Sequence, residues 1–441
     1  MTSNLQQKPP LHPPQIPQRL GPRPLPLHLA MEGWILQMSL NGLMPSNDAL
    51  PLWNQFKDAW MPAAFPMLQG VNDPARRVAA EALGKSPETY SDPWQAALDA
   101  PQFLTAVTDE AHKRMERFMR GIMTYQYHPH RRRLEAPPAI WQRGVATLRD
   151  YGGPAEAPPV LYVPSLINRA YILDLSVDRS LLRNTAKDLR TYLLDWGDPG
   201  EAEKQFTTED YIEGVLIPAL EEIKARTGQA PRLVGYCMGG TLCVAAAVLR
   251  PDLISKFALL ATPWDFHVDS EPSRMMISSF RPMIESILTA NGCAPVDLLQ
   301  ALFASLDPTL VGRKFRGFAA LSSNSDAAIR FIELEDWAND GIPLASPVAQ
   351  ECLFDWYDKN VTANDAWTIA DTVIDPARIK TPTLAVLPTR DRIVPPESAL
   401  RLAAAIPKAE QIKVGLGHIG MIVGNEALTQ VHTPLIAWLK T

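Results

Sequence analysis

Long apolar runs are missing from this chain of 441 residues. A membrane-crossing helix needs roughly 20 consecutive, mostly apolar residues, and none is expected here. Long basic runs are missing too. Net charge is -6 and the one run of three cations is Arg131–Arg133, which argues against a nucleic-acid partner. Cysteine is scarce. Cys237, Cys243, Cys293 and Cys352 are all there are, with no paired zinc spacing. No metal or other cofactor is expected, and the four read as free thiols in a reducing compartment.

The N-terminus is rich in proline, with eight among the first 28 residues. It lacks the continuous apolar core of a secretory signal. Residues 1–28 are expected to form a mobile, extended tail. Residues 29–136 carry AMEGWILQMSLNGL and DEAHKRMERFMRGIMTYQY, with apolar residues at three- and four-residue spacing, and are predicted helical. His128 and His130, in YHPHRRR, flank a proline beside three arginines. They read as a solvated loop rather than a ligand pair.

From about Pro158 the rhythm changes. PVLYVP (159–164), RTYLLDW (190–196), RLVGY (232–236), KFALLA (256–261), TLAVLP (383–388) and QIKVGL (411–416) read as strands. Amphipathic runs such as TEDYIEGVLIPALEEIKART (208–227) alternate with them. This pattern predicts an α/β domain over 137–441, with a mostly parallel sheet covered on both faces. More than a hundred residues between Ala261 and Thr383 are too many for a crossover, and read as a helical cap inserted at about 266–380.

LVGYCMGGTL (233–242) lies between a predicted strand and a predicted helix. Gly235 and Gly239 flank Cys237 in the spacing of the nucleophile elbow of an α/β-hydrolase, with cysteine in place of serine. The helix dipole favours a thiolate there, and the backbone N–H of Met238 would face a developing oxyanion. The competing reading of Cys237 is a small buried core residue. Cys243, one helical stretch on, reads as packing. In this fold an acid and then a histidine follow the nucleophile. Asp391 and His418 each come just after a late strand. His267 and His432 are weaker candidates for the histidine, His432 reading as a surface residue. Asp265 and Asp340 are rivals for the acid.

GYCMGGT resembles the lipase-like box of polyhydroxyalkanoate synthases. LYVPSLINRAYILDLSVDRSLLR (161–183), YLLDWGDPGEAEKQFTTEDYIEGVL, DRIVPPES and GHIG resemble further segments of those enzymes, nearer the class III type than class I. The resemblance runs from about Pro137 to the C-terminus. It implies an acyltransferase that polymerises (R)-3-hydroxyacyl-CoA into polyester with release of CoA. Cys237 matches the acyl-carrying nucleophile, His418 the general base, and Asp391 the acid that supports His418 or activates the incoming hydroxyl. Arg392 stands where family members usually have His. A cytoplasmic location at a polyester granule surface is implied. Homodimerisation and a partner subunit stay open, and the N-terminal helical part is a candidate replacement for such a partner.

A second oxyanion donor is expected from the loop after LYVP, at the backbone N–H of Leu166 or Ile167. Trp264, Phe266, Trp337, Phe354 and Trp356 read either as an apolar lid or simply as cap core. A cysteine thioesterase or esterase on the same scaffold is the alternative, separated from a polymerase by how well water is excluded. A granule-binding protein without catalysis is a third reading, against which the triad speaks.

Overall fold

The computed structural model describes residues 19–41, 101–268 and 271–441. Its centre is an eight-stranded sheet. In chain order the strands are β1 (Ala139–Arg143), β2 (Ala146–Gly152), β3 (Pro159–Val163), β4 (Arg190–Asp195), β5 (Arg232–Tyr236), β6 (Lys256–Leu260), β7 (Thr383–Pro388) and β8 (Glu410–Val414). Across the sheet they run β1-β2-β4-β3-β5-β6-β7-β8. β2 pairs antiparallel with β1 and β4, and all the other pairs are parallel. Every residue of β3 and β7 is buried, as strands covered on both faces require.

The six strands expected from their apolar runs are present, with ends shifted by two residues at most. The β1–β2 hairpin was not anticipated. Its residues are polar and half exposed, because an edge hairpin buries one face only. The amphipathic run 208–227 forms one continuous helical stretch. Thr207 opens it with a capping box to Asp210, and a π-helical turn interrupts it at Ile212–Leu216.

The residues between β6 and β7 form the cap. Its main helices are Glu271–Asn291, Val296–Leu306, Leu310–Phe318 and Asp326–Asn339. Two N-terminal helices, Leu25–Asn41 and Pro101–Tyr127, lie against it. Phe118, Ile122 and Tyr125 interleave with Phe315, Phe318 and Ile332 in a separate apolar cluster. Gly121 permits the close approach, since a Cβ there would strike the Phe315 carbonyl. Among the described residues no helix is long and apolar enough to cross a membrane.

Two expectations are corrected here. The tail was expected to run to residue 28. Residues 1–18 lie outside the described residues, but at Arg19 the chain is docked. The Arg19 guanidinium donates to the carbonyls of Tyr125, His128 and His130 and pairs with Asp336. A helix leaves its last carbonyls without donors, and Arg19 meets that need at the end of Pro101–Tyr127. The loop carrying His128 and His130 is likewise not solvated. His128 is buried with Nε2 on the Ser323 carbonyl (3.0 Å), and His130 Nε2 meets Glu333 (3.1 Å). Helix Asp326–Asn339 thus presents Glu333, Glu335 and Asp336 to cations that include Arg179, Lys314 and Arg19.

Arg19→Ala leaves Asp336 and three carbonyls short of a donor. It should destabilise the protein by about 3 kcal/mol, the scale for removing one member of a buried ion pair. Arg133→Ala, at an exposed position of the same junction, should leave the thermal midpoint where it is. Equal midpoints for the two variants would refute the docking role of Arg19.

Candidate active site

β5 ends at Tyr236 and the helix Met238–Leu249 begins two residues later. Cys237 alone makes the turn, with φ 54° and ψ -132°. Its N–H extends the sheet by donating to the Leu260 carbonyl (2.9 Å), and its own carbonyl accepts from Gly240 N–H (2.8 Å). Strand and helix meet so closely here that only glycine fits beside them. A Cβ on Gly235 would press into Gly240, and one on Gly239 would strike the carbonyls of Val163 and Pro164 at the end of β3. The Cys237 side chain lies where three apolar clusters converge.

The loops after β7 and β8 are tied together. Thr389 N–H donates to the Val414 carbonyl (2.8 Å) and Arg390 N–H to that of Leu416 (3.0 Å). This zip brings His418 Nδ1 to 2.6 Å from Asp391 Oδ2. The other Asp391 oxygen accepts from the N–H groups of Ile393 (2.8 Å) and Val394 (2.9 Å), so the buried carboxylate is fully engaged. With Nδ1 on Asp391, the remaining nitrogen of the imidazole is left free of Asp391, and Cys237 is its electrostatic neighbour. Burial alone would lower the pKa of His418. The charge of the Cys237 thiolate and the hydrogen bonds with Asp391 and Cys237 outweigh burial and hold it up at about 10. The structure therefore joins His418 to Asp391 and sets Cys237 beside them as a charge neighbour of His418.

The rivals are engaged elsewhere. His267 Nε2 meets the Asp358 carbonyl (3.0 Å). Asp265 holds Arg401 (3.0 Å) and Asn360 (2.9 Å), and Asp340 holds Arg169 (2.7 Å) and Tyr171 (3.2 Å). His432 is not at the surface as expected. It is buried between Asn184 (3.2 Å) and the Ile422 carbonyl (2.9 Å), and burial pushes its pKa down to about 4. Cys243 is buried, as expected of a packing residue, and burial raises its thiol.

Met238 N–H heads the helix beside the sulfur. In the loop after β3, Ile167 N–H turns back to Ser165 Oγ (3.2 Å), which leaves Leu166 as the better-placed candidate donor of the two. Trp196 Nε1 donates to the Pro164 carbonyl (3.0 Å) and steadies this loop from below.

Sequence reasoning missed three supports. Tyr236 stacks on the His418 ring (5.1 Å between centroids) and donates to the His418 carbonyl (3.2 Å). Trp196 is the second. The third is Arg392, which reaches from the acid loop to Asp307 in the cap (2.9 Å), where Arg313 (2.8 Å) also binds. The last could not be read from spacing, because Asp307 and Arg392 are 85 residues apart. Of the candidate lid aromatics, Trp264, Phe266 and Trp356 join Trp367 and Tyr357 in one ring cluster, with neighbouring centroids 4.9–6.0 Å apart. Trp337 instead donates to the Arg169 carbonyl, and Phe354 lies under Arg281.

The alpha/beta hydrolase fold family matches residues 158–425. The poly(3-hydroxyalkanoate) polymerase subunit PhaC of Allochromatium vinosum is 28% identical over 315 residues, covering 68% of this chain and 87% of that protein. Its counterpart in Synechocystis sp. is 29% identical over 318 residues, covering 68% and 83%. Among solved structures, the monoacylglycerol lipase of Paleococcus ferrophilus aligns with a TM-score of 0.43 and 21% identity, covering 67% of this chain and 98% of the lipase. The chain therefore belongs to the α/β-hydrolase fold family, and it is similar over two thirds of its length to poly(3-hydroxyalkanoate) polymerase subunits.

Proposed function

We propose that this protein polymerises (R)-3-hydroxyacyl-CoA thioesters into polyester through an acyl-cysteine on Cys237. The observation that carries the reading is the His418–Asp391 pair on the loops after β8 and β7 together with the glycine-flanked turn at Cys237, beside relatives named as polymerases. The Cys237 thiolate attacks the thioester carbonyl. The oxyanion that develops is met by Met238 N–H and by the Leu166 or Ile167 N–H. The tetrahedral intermediate collapses, the C–S bond to CoA breaks, and His418 supplies the proton that leaves with CoA. Thioester has replaced thioester, so the acyl group stays activated. The hydroxyl of the next unit then attacks the acyl-cysteine, and His418 accepts its proton. An ester forms and the thiolate is released. Asp391 fixes the tautomer and orientation of His418 and stabilises its imidazolium. The apolar surroundings of Cys237 favour attack by alcohol over water.

Cysteine reactivity tests the nucleophile. Iodoacetamide should label Cys237 well before Cys243 and Cys352, which are buried and whose thiols burial raises. Cys237→Ala should fold and release no CoA. Full activity in that variant would end the proposal.

The two partners should separate by step. An alcohol is a far weaker acid than a thiol, so elongation needs the supported base more than acylation does. Asp391→Asn should still release one CoA per site from 3-hydroxybutyryl-CoA, then elongate roughly a hundredfold more slowly or worse. His418→Ala should be slow in both steps. Single-turnover CoA release beside polymer yield reads this directly. Release of free 3-hydroxybutyrate with no polymer would make the protein a thioesterase instead.

The same line predicts a pH dependence of stability. The folded pKa of His418, about 10, lies above its ordinary unfolded value of about 6.5. Its contribution is therefore fully present below about pH 6.5 and lost as pH rises through about 10. The stability margin of wild type over Asp391→Asn should narrow across that window in urea titrations. A margin independent of pH would mean that His418 is neutral in the folded protein.

A further inference from the structure

A cleft of about 480 Å³ opens where three parts of the chain meet, and none of Cys237, Asp391 and His418 lines it. The parts are the segment that follows helix Pro101–Tyr127, the short hairpin of Asp174–Ser176 with Arg179–Ser180, and the cap helix Asp326–Asn339. Arg131, Arg132 and Arg133 all border the cleft, with His130 beside them. The one carboxylate in its wall is Glu333, which is already shared between Arg179 and His130 Nε2 (3.1 Å). Arg132 donates to the carbonyls of Leu175 (3.0 Å), Leu134 (2.6 Å) and Asp174 (2.7 Å), and its guanidinium lies over the Tyr171 ring, 4.8 Å from the centroid. The Asp174 carboxylate is 4.0 Å from it and is held more closely by Arg183 (2.8 Å). Arg131 donates to the carbonyls of His128 (2.6 Å) and His130 (2.9 Å). Carbonyls orient a guanidinium but leave its charge in place. Arg133 is exposed and makes no hydrogen bond or ion pair among the described residues. Leu134, Leu175 and Val177 give the same cleft an apolar side.

We propose that this cleft binds an organic phosphate, with Arg132 and Arg133 donating to the phosphate oxygens and the carbon frame of the ligand lying on Leu134, Leu175 and Val177. A guanidinium presents paired N–H groups that match phosphate oxygens. Arg132 spends three of its five N–H groups on carbonyls and has others to offer. It is already fixed by those carbonyls, so binding has little left to order. Adjacent cations that share so few carboxylates suit a ligand of more than one negative charge. Sites for small molecules run to about 300–1,000 Å³, so the cleft suits a nucleotide better than inorganic phosphate. A free nucleotide and the phosphoadenosine end of CoA share this chemistry. Either would tie the N-terminal segment, the hairpin and the cap helix together.

The test is calorimetric titration of the full chain with ADP, inorganic phosphate and CoA. ADP should bind at one site per chain, about tenfold or more tighter than inorganic phosphate, and should raise the thermal midpoint. Its affinity should fall as salt is added. Arg133→Ala, whose unliganded midpoint should match wild type, should weaken ADP by about tenfold or more, the scale of a hydrogen bond to a charged group. Arg143→Ala, at an exposed arginine of β1 outside the cleft, should stay within about twofold of wild type. CoA that displaces ADP, with the same loss in Arg133→Ala, would identify the ligand as the head of CoA. CoA that leaves ADP in place would identify a free nucleotide, and both results uphold the site. Absence of saturable ADP binding, inorganic phosphate as tight as ADP, or equal losses in Arg133→Ala and Arg143→Ala would overturn it. No turnover is measured, so failure here is distinct from failure of the polymerase reading.

Discussion

The backbone turn at Cys237 is the constraint on which the site depends. A non-glycine residue in so sparsely populated a conformation costs on the order of 1–3 kcal/mol, and it persists only where its surroundings over-determine it. Here they do. The sheet holds its N–H, the helix holds its carbonyl, and glycines on both sides let strand and helix close to contact. The side chain is left standing above the sheet at the head of a helix. Because β5 is central, β3 can bring the candidate oxyanion loop to one side of it. The loops after β7 and β8 bring acid and histidine to the other.

Charge at the site is managed in a dry setting. Burial works against an imidazolium, so a protonated His418 needs partners on both sides, and it has Cys237 and Asp391. Asp391 is in turn fixed by two backbone N–H groups, and Tyr236 stacks on the imidazole and holds the His418 backbone. Each residue is thereby kept in one orientation by something other than the substrate. The cap shares in this through Arg392 and Asp307, a link between the acid loop and the cap.

The parts legible in the sequence were those encoded locally. Five of the six strands announced themselves as apolar runs because they lie inside the sheet and are largely buried, while β8 is a partly exposed edge strand. The elbow announced itself because a turn that tight demands glycine at fixed offsets. Asp391 and His418 were singled out from their positions after late strands, and they are hydrogen-bonded to each other. What stayed hidden was set by tertiary contact. The β1–β2 hairpin is too polar to stand out. His128, His130 and His432 looked like surface histidines, yet each is held by partners from distant parts of the chain. Arg19 sits among prolines that suggest a mobile tail, and only the helix end it serves explains its burial.

The cap also sets an order of assembly. β6 and β7 are neighbours in the sheet, yet more than a hundred residues are synthesised between them. Closing that loop lags behind local structure, and a chain leaves the ribosome from its N-terminus. The cysteine therefore emerges long before β7 and β8, whose following loops carry Asp391 and His418. Until residue 418 is released and β8 has paired, Cys237 stands without its neighbour His418. The side chains that meet at this site thus come together only after the cap has been made.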